Sequence, residues 1–148
     1  MAEIRHRIGI AAPRERVYEA LSTVEGLSSW WSTTEGDPEV GGTLRFFFGQ
    51  AEPAAIMDIV DLTPTEQVRW RCVGGIDEWI GTTLTFDLSD LGDETVLRFA
   101  QTDVRDPMPE FMENCSTKWA VHLLGIKSWL EGGKSNVFPN DPPISSWG

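Results

Sequence analysis

A chain of 148 residues that is 41% hydrophobic and 24% charged has the composition of one globular domain, large enough to bury a core without staples, and excludes a disordered chain. Its formal net charge of -11 is repelled by nucleic-acid phosphates and anionic lipid headgroups, so neither nucleic acid nor membrane is expected as a partner; the charge of this acidic protein serves solubility. Seven Trp and seven Phe stand against one Tyr, so large apolar rings must fill a sizeable core or line an opening.

No amino-terminal stretch has the layout of a secretion signal, and no apolar run is long enough to span a bilayer. Cys72 and Cys115 form neither a disulfide framework nor a metal-ligand spacing. A cytoplasmic setting is expected.

The first element is a half-buried strand over residues 3–11, where Ile4, His6, Ile8 and Ile10 alternate with Arg5, Arg7 and Gly9. Pro13 stands at a first helical position, and Val17, Tyr18, Ala20 and Leu21 make a short amphipathic helix. A second short helix is predicted from Val24 to Trp31, broken by Gly36 and Pro38. Five strands follow. Leu44, Phe46 and Phe48 alternate after Gly41-Gly42. Ile56 to Leu62 ends at Pro64, and Val68, Trp70 and Cys72 alternate with Arg69 and Arg71. Ile80 to Leu88 runs through Phe86, with Trp79 on the opposite side. After the Leu91-Gly92-Asp93 turn, Leu97, Phe99 and Gln101 alternate with Arg98. Short turns between such strands predict an antiparallel meander.

From Pro109 to about Glu131 a long helix is predicted. Phe111, Met112, Cys115, Trp119, His122, Leu123, Ile126, Trp129 and Leu130 share one stripe, with Val121 and Leu124 off it. Gly132-Gly133 supplies the stop. The Pro-rich tail, 135–148, cannot form a regular element; Phe138, Ile144 and Trp147 give it apolar groups with which to dock. The expected organisation is one domain, 1–134, and a tail.

A run of antiparallel strands has one apolar face, and only the last helix is long enough to cover it. The expected fold is α+β: a curved six-stranded antiparallel sheet around a long C-terminal helix, with two short helices between strands 1 and 2. The chain resembles the polyketide cyclase and START-related (SRPBCC, birch-pollen-allergen-like) superfamily with its helix-grip fold. Within it, the chain is most similar to the domain named for the activator of heat-shock-protein-90 ATPase. The resemblance spans roughly residues 4–134. It is carried by Ala12-Pro13-Arg14-Glu15-Arg16-Val17, Trp30-Trp31, Gly41-Gly42, Val60-Asp61-Leu62-Thr63-Pro64 before Val68-Arg69-Trp70, Glu94-Thr95-Val96-Leu97, and Ser128-Trp129-Leu130-Glu131-Gly132-Gly133-Lys134.

The resemblance implies a pocket between helix and sheet that holds a small hydrophobic molecule. Trp30, Phe46, Phe48, Trp70, Phe86, Phe99, Trp119 and Ile126 are its candidate lining, and the abundance of Trp suits an apolar cargo. His122, in the middle of the helical stripe, is read either as a buried neutral imidazole satisfied by a neighbour or as a polar contact to ligand. Gln101 on an apolar strand face needs a partner, namely His122, water or ligand, unless it reaches solvent. Arg45, Arg69, Arg71 and Arg98 are expected on the outer sheet face, paired with carboxylates.

Carboxylates such as Asp77, Glu78, Glu35, Asp37 and Glu39 are unarranged. With His6 and His122 the only histidines, no catalytic set, metal or cofactor is expected. Two alternatives stay open: a cyclase- or aromatase-like enzyme using His122 and Gln101, and a protein-interaction module of the cochaperone kind. Homodimerisation is open as well.

Overall fold

The computed structural model describes residues 2–105, 108–134 and 137–144; Trp147 of the tail lies outside them. The elements are β1 (Ala2–Ile10), α1 (Arg14–Ser22), α2 (Val24–Trp30), β2 (Thr33–Gly36), β3 (Thr43–Phe47), β4 (Ala55–Thr63), β5 (Gln67–Gly75), a 3-10 turn (Asp77–Trp79), β6 (Thr83–Leu91), β7 (Glu94–Val104) and α3 (Pro109–Leu130). All strand pairs are antiparallel, in the order β1-β7-β6-β5-β4-β3-β2. The first strand thus closes against the last, and the architecture is the expected helix-grip α+β fold.

The sheet has seven strands, not six. The extra one, β2, pairs Thr33 with Phe47 and Gly36 with Leu44. Its four residues, Thr-Thr-Glu-Gly, carry no apolar alternation, so only its backbone pairing with β3 reveals it. A second difference concerns β6, which starts at Thr83. The preceding Asp77–Trp79 segment is a 3-10 turn that buries Trp79 instead of turning it outward.

Alternation sets the two faces. Val68, Trp70 and Cys72 of β5, Leu84, Phe86 and Leu88 of β6, and Leu97, Phe99 and Gln101 of β7 are all buried. Register shifts between Ile56 and Met57 and between Ile59 and Asp61 interrupt the β4–β5 ladder; such bulges bend a strand and increase its twist. The helix stripe is buried as predicted at Cys115, Trp119, His122, Leu123, Ile126 and Leu130, while Leu124 is 55% exposed. At the helix end, Gly132 takes φ 91, the left-handed conformation that terminates helices.

The outer face departs from expectation. Arg45 reaches Glu35 at 3.9 Å, but among the described residues Arg69, Arg71 and Arg98 have no ion pair. The nearby carboxylates are engaged elsewhere: Asp87 accepts from Gln67 Nε2 at 2.6 Å, Asp58 from Thr43 Oγ1 at 2.9 Å and Glu3 from Arg5 Nε at 2.7 Å. Five arginines, Arg5, Arg7, Arg69, Arg71 and Arg98, therefore occupy one sheet face of an acidic protein.

Two glycines isolate the backbone demands of the turns. Gly75 has φ +96, and a Cβ there would collide with the Ala54 carbonyl; Gly92 has φ +59 with open space around it. Gly92→Ala is expected to cost about 1 kcal/mol, the conformational penalty alone. Gly75→Ala adds a backbone collision and is expected to cost about 3 kcal/mol. Urea unfolding of both variants measures the difference, and equal losses would contradict this account.

Candidate functional site

Between α3 and the open end of the sheet lies a cavity of about 590 Å³, lined by Trp31, Phe48, Gln50, Ala54, Ala55, Ile76, Glu78, Trp79, Phe111, Asn114, Cys115, Lys118, Trp119 and His122. Its floor is aromatic and buried: Trp31, Trp79 and Trp119 are at most 8% exposed. Exposed Gln50 and Glu78, with half-buried Asn114 and Lys118, supply the polar part of its wall. A separate groove of about 500 Å³ on the outer face, lined by Arg5, Arg69, Arg71 and three threonines, is polar and open.

Each ring reaches the cavity by a different route. Trp31 follows the last turn of α2. Trp79 is swung inward by the 3-10 turn, and Trp119 projects from the middle of α3. The ring centroids of Trp31 and Trp79 lie 6.4 Å apart at 25°, and those of Trp79 and Trp119 5.9 Å apart at 17°. The His122 ring is T-shaped to Trp31 and Trp119, with centroids 5.9 and 5.8 Å apart.

The polar atoms behave unequally. Trp119 Nε1 donates to Gln101 Oε1 at 3.1 Å, and Gln101 Nε2 donates to Thr82 Oγ1 at 3.2 Å. Gln101 is 1% exposed and its partners are these two residues, not His122. Trp30 Nε1 donates to the Ala20 carbonyl at 2.8 Å. By contrast, Trp31 Nε1 is buried without a hydrogen-bond partner, and Trp79 Nε1 is buried with the Cys115 sulfur, a weak acceptor, beside it. Burial pushes the Cys115 thiol pKa up, which keeps the thiol protonated and unreactive.

Of the lining proposed from sequence, Phe48, Trp119 and His122 stand on the cavity wall. Phe46, Trp70, Phe86, Phe99, Gln101 and Ile126 are buried in the core around it, and Trp30 packs under α1 through its bond to Ala20. Trp31 and Trp79 were not anticipated. The Trp30-Trp31 pair marked the place without saying which ring faces the opening, and Trp79 was hidden by treating its turn as strand. Among the described residues no group of three or more His, Cys, Asp or Glu side chains could hold a metal ion.

The tail crosses the cavity wall. Phe138 N–H donates to the Trp31 carbonyl at 3.0 Å, and the Phe138 ring meets Phe48 at 5.3 Å. Asp141 Oδ2 binds Lys118 Nζ at 2.7 Å, with the Asp141 side chain 6% exposed.

Desolvation lowers the pKa of His122 from 6.5 to about 4; the Asp141 carboxylate opposes this weakly and Lys118 reinforces it. Because the folded-state pKa lies below the unfolded one, the unfolded chain takes up the proton first. The stability linked to His122 is fully present above pH 6.5 and is lost as pH falls towards 4. The loss amounts to about 3 kcal/mol. His122→Leu is expected to remove it, so between pH 7 and 4 the unfolding free energy of the unmodified protein should fall by about 3 kcal/mol relative to that of the variant. A constant difference across that window would contradict a buried neutral imidazole.

The model of the family described as "Activator of Hsp90 ATPase homolog 1-like protein" matches residues 11–131. The solution structure of the Aha1 dimer from Colwellia psychrerythraea is 36% identical, with a TM-score of 0.80, covering 91% of this chain and 100% of that one. Two more distant structures share the fold. CalU16 from Micromonospora echinospora has 17% identity and a TM-score of 0.71, covering 97% of this chain and 85% of that one. PFC0360w, described as an HSP90 activator from Plasmodium falciparum, has 17% identity and a TM-score of 0.70, covering 88% and 96%. No curated protein sequence matches. With the family model spanning most of the chain and a 36% identical relative of the same fold, the protein belongs to the Activator of Hsp90 ATPase homolog 1-like family.

Proposed function

We propose that this protein binds a small hydrophobic molecule in the cavity between α3 and the sheet. The observation that carries the reading is the cavity itself: about 590 Å³ floored by three tryptophans, in the size range of small-molecule sites and with their pattern of apolar floor and few polar groups. A core optimised only for stability would fill such a space, since unfilled volume costs contacts.

The enzyme alternative is weaker. Gln101 is consumed by Thr82 and Trp119. Among the described residues His122 has no hydrogen-bonding group to orient it, and a pKa of about 4 leaves it a poor general base at neutral pH. To test binding, naphthalene-class ligands are titrated in a thermal-unfolding assay. At a hundred times Kd, a bound ligand should raise Tm by roughly 5–10 °C. Cys115→Phe, which narrows the cavity at its floor, should reduce the shift while remaining folded. No shift in the unmodified protein with any apolar ligand tested would defeat the proposal.

Self-association is a second reading, favoured by Leu124, which is 55% exposed on the face of α3 away from the sheet, and by the description of the Colwellia relative as a dimer. Sedimentation velocity should then show a concentration-dependent dimer that Leu124→Glu converts to monomer. A monomer at all concentrations would end that reading. For a chaperone partner the support is the family name alone.

A further inference from the structure

We infer that the cavity's ligand carries a hydroxyl group on an apolar skeleton, and that this hydroxyl hydrogen-bonds to the imidazole of His122. This rests on the ligand-binding reading above and narrows it to a chemical class.

Buried polar atoms around the cavity divide into closed and open ones. Among the described residues, Trp31 Nε1, Ser32 Oγ and Trp79 Nε1 are shut off without a nitrogen or oxygen partner, Trp79 Nε1 having the Cys115 sulfur beside it. No ligand in the cavity can serve them. His122 is different. It is 6% exposed and makes no hydrogen bond among the described residues, yet neither of its ring nitrogens is among the closed atoms. The surface it retains therefore includes those nitrogens, and the space it borders is the cavity, whose wall it forms with Trp31 and Trp119.

Burial keeps the ring neutral at pH 7, its pKa being lowered to about 4. A neutral imidazole carries one N–H donor and one lone-pair acceptor. Solvent entering the cavity can serve both. A ligand that displaces this water must return a hydrogen bond or leave a buried polar group unpaired, which weakens binding. A pure hydrocarbon suffers that loss in full. Packing against the Trp31 and Trp119 rings fixes the imidazole, so a molecule seated on the tryptophan floor brings its polar end to a defined place.

The neighbouring side chains do not take the ligand's place. The Trp119 N–H is given to Gln101, and the Cys115 thiol is a weak partner. Lys118, one helical turn from His122, is in an ion pair with Asp141 at 2.7 Å. The other polar lining residues, Gln50, Glu78 and Asn114, are exposed or half-buried, where water serves them. A hydroxyl answers the imidazole whichever tautomer it holds, because it donates to the bare nitrogen or accepts from the N–H. An ether or carbonyl oxygen only accepts and answers one tautomer.

The test compares three probes on one skeleton: 2-methylnaphthalene, 2-methoxynaphthalene and 2-naphthol. 2-Naphthol should bind about tenfold more tightly than 2-methylnaphthalene, the effect of one buried hydrogen bond, and more tightly than 2-methoxynaphthalene, whose oxygen only accepts. His122→Leu should cut the preference for 2-naphthol over 2-methylnaphthalene to about threefold or less, while 2-methylnaphthalene still binds as a check on the fold. In unmodified protein labelled with 15N in histidine, the ring nitrogens of His122 should move far more on adding 2-naphthol than on adding 2-methylnaphthalene. His6, the only other histidine, is the unmoved reference, and this readout needs no variant. Equal affinity for 2-naphthol and 2-methylnaphthalene, with equal movement of the His122 nitrogens, overturns the ligand class and leaves the binding site standing. A tie between 2-methoxynaphthalene and 2-naphthol overturns the hydroxyl. A preference for 2-naphthol that survives in His122→Leu overturns the assignment to His122. Failure of all three probes to bind overturns both the class and the binding reading.

Discussion

The hydrogen bond from Trp119 to Gln101 ties the helix to the sheet at the point where everything else converges. Trp119 sits in the middle of α3, and its ring packs 4.2 Å from Phe99 and 5.1 Å from Trp31. Its N–H ends on an amide that is itself anchored to Thr82. A single side chain thus joins β7, the residue before β6, α3 and the residue after α2. Because a buried amide is costly unless both its ends are used, this pairing sets the depth and rotation of α3 against the sheet as ring packing alone could not.

Once α3 is seated at that depth, the aromatics divide. Those on the central strands, Trp70, Phe86 and Phe99, pack against one another at 5.0 and 5.2 Å and make a solid core. Those arriving from connections, Trp31 and Trp79, meet Trp119 from the other side and enclose space. The cavity lies where the strands stop supplying side chains and loops take over, which is the usual place for binding residues on a rigid scaffold. The tail reinforces this end through Phe138 and Asp141, and the same arrangement neutralises Lys118. The site is consequently a place of low charge inside a strongly acidic protein.

The outer sheet face has the opposite character. Strand alternation sends Arg5, Arg7, Arg69, Arg71 and Arg98 outward, and the nearby carboxylates are occupied by Thr43, Gln67 and Arg5. Arg5 is paired with Glu3, and Asp58 and Asp87, opposite Arg71 and Arg98, keep their charge, so the face carries both signs. Exposed ion pairs contribute little to stability, so the fold tolerates their absence.

Much of this architecture is written in local pattern. Period-two alternation marked six strands, a long apolar stripe marked α3 and the buried position of His122, and Gly132 marked its end, because burial on one face imposes those periods wherever the chain is regular. Where pattern was absent, pairing decided: Thr33–Gly36 became a strand by bonding to β3, and Trp79 left the expected strand for the Asp77–Trp79 turn. The candidate site falls in that second category. The sequence by itself determined which strand and helix residues face inward and that large rings are abundant. Only the tertiary structure decided that Trp31, not Trp30, lines the opening, that Trp79 joins it, and that Gln101 is already satisfied. The physical reason is that a cavity is defined by what several distant segments fail to fill, and no repeat within one segment records that.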